Sequence, residues 1–442
     1  NMKDNKSDEN ELFNLIDQAK NNSLITLKKN KIYHVRQENS RHLRGINISN
    51  TASFEENSEG IRHTILYFEN KENITIDGNG AMIIIHGIMT PLVFRNCKNI
   101  TIRNLKIDYA RPTMNEFKIL SGENGIYELD INEECIFTVN DNDLIWKGEN
   151  KENGEPYWEL PYKGKDIISM YFDPKTEYTR FFPLEKGDFR PSVPAFSFIE
   201  QIDKNRLKVG LKNETAFFPV GCTVQTRSAV RDQIGGFFER CENISLADMR
   251  IYFMHGLGFV FQFCKNITIS SLDCMPKEGR TIACNADFFQ FSGCKGDIVI
   301  EDCKAAGAHD DFINIHGTHL RIIQICKKSR SITVRFENAF TWGFPAFSKG
   351  DKVDFIKWDT LVPYASTKVK SVKMLNTKEL ELKLYSLPEK IELNKDVIEN
   401  TTATPKVIIR KNSFGPSMGR GILTTTRRKV LIENNRFYKL GG

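Results

Sequence analysis

Phe68-Glu69-Asn70-Lys71-Glu72-Asn73-Ile74-Thr75-Ile76 is echoed, position by position, by Phe94-Arg95-Asn96-Cys97-Lys98-Asn99-Ile100-Thr101-Ile102. The pattern returns as Phe238-Glu239-Arg240-Cys241-Glu242-Asn243-Ile244-Ser245-Leu246 and again, close behind, as Phe261-Gln262-Phe263-Cys264-Lys265-Asn266-Ile267-Thr268-Ile269. Weaker copies occupy 291–300, 404–409 and 427–432. The interval between neighbouring copies, with two short strands joined at an Asn-marked bend, is the signature of a solenoid. Leucine-rich repeats share the period but need regularly spaced leucines, which are missing here. Ile, Thr and Val strands joined by Asn, Gly and Asp predict an all-β, right-handed parallel β-helix, each coil about 4.8 Å above the last.

The repeat also explains two other patterns. The N-x-[ST] matches at Asn73, Asn99, Asn243 and Asn266 coincide with it, so they read as bend residues ahead of a strand rather than glycan acceptors. Of ten cysteines, Cys97, Cys241, Cys264 and Cys294 recur at one repeat position without any CxxC pair. Stacked, buried free thiols fit that spacing better than disulfides or zinc, and no metal or cofactor is expected.

Outward from the repeat, residues 9–20 read as a short amphipathic helix, with Leu12, Phe13, Leu15 and Ile16 on its apolar side, capping the first sheet edge. Two stretches break the period and alternate every second residue, as antiparallel strands do. The expected division is 9–110 for the cap and first coils, 111–232 for one barrel-like β insertion and 233–319 for central coils. A second barrel-like insertion follows at 320–402, and further coils at 403–442. The last coil ends without an atypical closing repeat, which leaves truncation, cleavage, or closure by a second chain or copy as readings.

With 442 residues, 40% of them hydrophobic, and no run approaching eighteen apolar positions, a transmembrane helix is not expected. The net charge of +6 is spread along the chain, without the basic tract of a nucleic-acid binder. Asn1-Met2-Lys3-Asp4-Asn5-Lys6 carries no apolar signal region, leaving a cytoplasmic protein or an exported one whose signal has been removed; we expect the latter.

The chemistry concentrates in Gly307-Ala308-His309-Asp310-Asp311-Phe312-Ile313-Asn314-Ile315-His316-Gly317. Asp287 precedes Asp310 by the same interval that separates Asn243 from Asn266, one repeat length, so the two acids are expected to be vertical neighbours. Three crowded carboxylates cannot all ionise freely, and at least one holds its proton more tightly, supplying both an acid and a base. Glycosidic cleavage needs that pair. The alternative is that Asp310 and Asp311 are turn residues and Asp287 a polar ladder position; His309, Asn314 and His316 in the same coil favour the cluster.

The chain resembles glycoside hydrolase family 110, the α-1,3-galactosidases built on a parallel β-helix, from Asn73-Ile74-Thr75-Ile76-Asp77-Gly78-Asn79-Gly80-Ala81 to its C-terminus. The motifs that carry the resemblance are Ala306-Gly307-Ala308-His309-Asp310-Asp311, Asn314-Ile315-His316-Gly317-Thr318, Trp342-Gly343-Phe344, Lys349-Gly350-Asp351 and Arg420-Gly421-Ile422-Leu423-Thr424-Thr425. It implies an inverting exo-hydrolase that removes terminal α-1,3-linked galactose from an oligosaccharide or glycan, with Asp310 as general acid and Asp287 and Asp311 activating water. Candidate substrate-binding residues are His309, His316, Asn314, Arg280, His255 and, by stacking on a sugar, Trp342. The rival functions are a β-helix polysaccharide lyase, which would want a basic proton abstractor and calcium, and a non-catalytic glycan-binding solenoid.

Overall fold

The computed structural model describes residues 2–164, 166–182, 194–213 and 217–441. Three parallel sheets run the length of the solenoid, with eight, eight and seven strands. The first contains Glu72–Asp77, Lys98–Arg103, Glu242–Ala247, Lys265–Ser270, Lys295–Glu301 and Lys406–Arg410, the second strands of the Met82–His86 and Lys106–Tyr109 kind. The third, which carries the site, runs through Leu66–Glu69, Leu92–Arg95, Gly236–Glu239, Phe259–Gln262, Phe289–Ser292, Ile313–His316 and Ile422–Thr424.

The repeat lengths read from sequence are the strand registers: Ile76 pairs with Ile102, Leu246 with Ile269 and Ile409 with Ile432. Period-two alternation sends Ile74, Ile100, Ile244, Ile267, Ile298 and Val407 inward as one buried column. Phe68, Phe94, Phe238, Phe261 and Phe291 form a second, with successive ring centroids 5.2, 5.0, 4.9 and 5.0 Å apart. Burial of these columns drives the stacking.

The bend asparagines form a ladder on the outside. Asn73, Asn99, Asn243 and Asn266 all hold φ of 56–57°, a left-handed conformation that Asn tolerates better than most residues. Each Nδ2 donates to the Oδ1 of the rung before it, over 2.6 to 3.0 Å down to Asn22. Cys97, Cys241, Cys264 and Cys294 are free and buried in the adjoining column. The helix Met2–Asp17 places buried Leu12 and Ile16, with Phe13 and Leu15 beside them, against the core. No helix among the described residues is long and apolar enough to cross a membrane.

Two antiparallel units interrupt the coils. Strands from His319–Cys326 to Val397–Asn400 close into a six-stranded barrel. The earlier segment, expected to be barrel-like, instead contains, among the described residues, an open seven-stranded sheet and a three-stranded sheet, packed around Phe117, Trp146 and Phe218.

Candidate active site

The site lies on the corner that leads into the third sheet. Met254, Cys284, Ala308 and Ser417 bridge in register, and Phe259, Phe289, Ile313 and Ile422 open the strands that follow. The corners between them are therefore equivalent residue by residue. One row is His255, Asn285, His309 and Met418; the next is Gly256, Ala286, Asp310 and Gly419; the third is Leu257, Asp287, Asp311 and Arg420. The coil that joins Cys284 to Ala308 is longer by a single position than the interval read from the repeat, so Asp287 lies beneath Asp311, with Asp310 offset beside them. That corrects the expected Asp287–Asp310 alignment. The third row passes from apolar to acidic to basic in four coils.

One carboxylate oxygen from each of Asp287, Asp310 and Asp311 lies within 4.8 Å of the others. Asp287 and Asp311 are buried at 2% and 1% exposure, whereas 44% of the Asp310 side chain is open to solvent. A side chain at Gly419 would stand 2.1 Å from the Asp310 carbonyl carbon, so the next coil can close over the pair only with glycine there.

Each acid has a different partner. Asp311 accepts from the Arg420 backbone N–H, Nε and Nη2, all at 2.8 Å, a bidentate charge pair with a third donor. Asp287 accepts from Asn314 Nδ2 at 3.1 Å. Asp310 Oδ1 caps the Asp311 N–H at 3.0 Å, and its Oδ2 stands 4.0 Å from Arg231 Nη1. Burial, then the charges of Asp310 and Asp311, pushes Asp287 up to about 7. Desolvation on its inner side, then the adjacent Asp311, raises Asp310 as well.

His309 lies behind the acids. Its Nε2–H donates to Gln225 Oε1 at 2.8 Å, and its Nδ1 faces Arg227 Nε at 3.4 Å. Burial and then the Arg227 charge hold the imidazole well below its usual range, hence neutral. His316 is two residues beyond Asn314 on the same face of the strand, with Nδ1 near Gly317 O. His255, 3% exposed, bonds Thr113 through Nδ1 and faces Asp232 at 3.8 Å.

Two expected sugar contacts are otherwise committed. Arg280 is a buried ion-pair centre, bonded to Asp108 Oδ1 at 2.6 Å and to Glu134, because an unpaired guanidinium there would be costly. Trp342 is 4% exposed, donates Nε1–H to Ala52 O at 3.0 Å and meets Phe54 edge-on, which leaves no open ring face for a sugar. The barrel's own cavity, about 760 Å³, is lined by Ile325, Arg330, Tyr385 and neighbours and includes none of the aspartates. Sequence reasoning missed Arg231, Asn50, Arg227 and Gln225, which lie outside the repeat, and the role of Arg420, legible only once the corners are aligned.

Stacked parallel coils with three converging carboxylates on one corner define a β-helix protein with an acidic cluster. The protein-family model described as GLAA-B beta-barrel domain II matches residues 331–398, within the closed barrel. The chain is 33% identical over 402 residues to Alpha-1,3-galactosidase A of Bacteroides fragilis strain YCH46, covering 89% of this chain and 62% of that protein. It is 37% identical over 401 residues to Alpha-1,3-galactosidase A of Bacteroides thetaiotaomicron, covering 88% and 66%. A protein of the same name from Akkermansia muciniphila is 37% identical over 376 residues, covering 84% and 59%. The chain belongs to the α-1,3-galactosidase family and spans roughly three fifths to two thirds of the length of these relatives.

Proposed function

We propose that this chain is an exo-acting glycoside hydrolase that releases terminal α-1,3-linked galactose from glycans, with inversion at the anomeric carbon. The observation that carries the reading is one half-exposed carboxyl, Asp310, set within 4.8 Å of a buried acid pair. In this reading Asp310 is the general acid, because it alone of the three is open enough to meet a departing oxygen. It shares the cluster's proton with Asp287. Asp287 and Asp311 orient and deprotonate the attacking water, and Arg420 holds Asp311 in place. Asn314 and His316 contact the sugar from the adjacent strand.

A separation this small is below the roughly 6.5–9.5 Å usual for two inverting carboxylates, and nearer the spacing of retaining pairs. With three acids the pair distance no longer reports the position of water, so an anomeric NMR time course is the test: β-galactose appears first if the reaction inverts. We also take the helix as right-handed, the coils as divided by insertions at 111–232 and 320–402, and the protein as exported. Limited proteolysis tests the division, and fractionation of the native host tests the location.

The direct experiment is galactose release from a terminal α-1,3-galactoside in the presence of EDTA. Asp310→Asn should keep the fold and galactoside binding while lowering turnover roughly 10²- to 10⁴-fold. Unsaturated products abolished by EDTA would point to a lyase, and near-normal release from the variant would remove Asp310 as the acid.

A further inference from the structure

Among the described residues, three guanidinium groups approach the acid cluster. Arg420 is spent on Asp311. Arg227 faces His309 and donates to Ser228 O. Arg231, on the segment leading from the first insertion back into the coils, is different. Its Nη2 donates to Asn50 Oδ1 at 3.2 Å, while Nη1 stands 4.0 Å from Asp310 Oδ2, too far for a hydrogen bond.

The side chain is held for that position. Asn50 Nδ2 donates to Gln290 Oε1 at 3.1 Å, and Gln290 Nε2 to Ser49 O at 3.0 Å. Gln290 is the register neighbour of Asn314, which bonds Asp287. Amide side chains on adjacent strands therefore line the sheet face from the buried acid to Arg231, whose side chain is only 17% exposed. A cation fixed beside the exposed carboxyl, with a donor edge facing it across a gap, matches the needs of a polyhydroxylated ligand.

We propose that Arg231 is a substrate-contacting residue: Nη1 donates to a hydroxyl of the terminal sugar while Asp310 delivers its proton to the departing oxygen. The assignment rests on the glycosidase reading above. Asn50 is then a positioning residue that acts through Arg231. The groups facing Asp310 are Asp287 and Asp311 from the coils, Arg227 and Arg231 from the insertion side, and Arg420 from the next coil. Of these, Arg231 is the cation that faces both Asp310 and Asp287 while its hydrogen bond goes to an amide rather than a carboxylate.

The test uses the full chain, a terminal α-1,3-galactoside and the variants Arg231→Lys and Arg231→Gln. Loss of a charged hydrogen bond should raise KM of Arg231→Gln by about tenfold or more, with a smaller loss in Arg231→Lys, which keeps the charge but not the fork. Removing the cation also raises the Asp310 pKa, so the alkaline limb of kcat should move to higher pH. In an Asp310→Asn background, calorimetric affinity for the unhydrolysed galactoside should fall with Arg231→Gln. Should Arg231→Gln fold poorly by thermal midpoint, the Lys variant carries the comparison. Active wild type, inactive Asp310→Asn, and unchanged KM and affinity in the Arg231 variants would overturn this assignment alone. Wild type that releases no galactose would overturn the glycosidase reading and this one with it.

Discussion

Asp287 and Asp311 occupy the same place on successive coils in very different company. Asp311 has three donors from Arg420, whereas Asp287 has one amide and two negative neighbours. An acid pushed up to about 7 in the fold, against about 3.9 unfolded, favours the folded state fully below pH 4 and loses that contribution as pH rises through 7. The penalty above pH 7 is on the order of 4 kcal/mol for so buried a group. Asp287→Asn removes it and keeps an acceptor for Asn314. Its thermal midpoint should therefore exceed wild type at pH 8, with the difference closing toward pH 4, while galactose release is lost. A variant no more stable than wild type at pH 8 would contradict the ionisation cost. The proposed division, Asp310 as acid and Asp287 with Asp311 as base, has its own test. An aryl galactoside with a good leaving group needs no protonation, so it should restore turnover to Asp310→Asn but not to Asp287→Asn; equal rescue of both would dissolve the division of roles.

The Asn ladder shows why so much of the solenoid was readable from sequence. Each coil repeats one local problem, a left-handed bend followed by an alternating strand, and Asn99 solves it like Asn73 and Asn243. Register followed from the same repetition, because shifting a strand by one residue would expose its isoleucines. At the acidic corner the coil carries an extra position, and the expected partner of Asp287 was off by one for that reason. Arg280 and Trp342 misled because residue type alone does not report burial. Asn99→Ala loses two amide bonds and places a β-carbon at φ 56°, which should cost about 1–3 kcal/mol by chemical denaturation. Asn99→Gly loses the same bonds without the backbone strain and should cost less. If the two variants unfold alike, the left-handed bend is not what Asn is there for.

At the scale of the molecule, the barrel and the site meet through a loop that belongs to neither. Asn50 N–H donates to Phe340 O at 2.8 Å, Asn47 Nδ2 to Gly343 O at 3.1 Å and Trp342 Nε1 to Ala52 O at 3.0 Å. That loop in turn presents Asn50 to Arg231, beside Asp310. Such contacts join residues 290 or more positions apart and carry no period, so nothing in the sequence announces them. If Arg231 contacts the sugar as proposed, Trp342 supports the site through Ala52 and Asn50 rather than by stacking on the ligand. Trp342→Ala should lose about 3–5 kcal/mol of packing and, in the fraction still folded, lower kcat/KM by releasing Asn50 from its register. Trp342→Phe keeps part of the ring packing while losing the Nε1 bond to Ala52, so its effect on both should be smaller than that of Trp342→Ala. A double-mutant cycle decides whether the route runs through Arg231. If it does, Trp342→Ala adds little to the loss already caused by Arg231→Gln, because the guanidinium it would misplace is gone; fully additive losses in kcat/KM would mean that the barrel acts on the site by some other path.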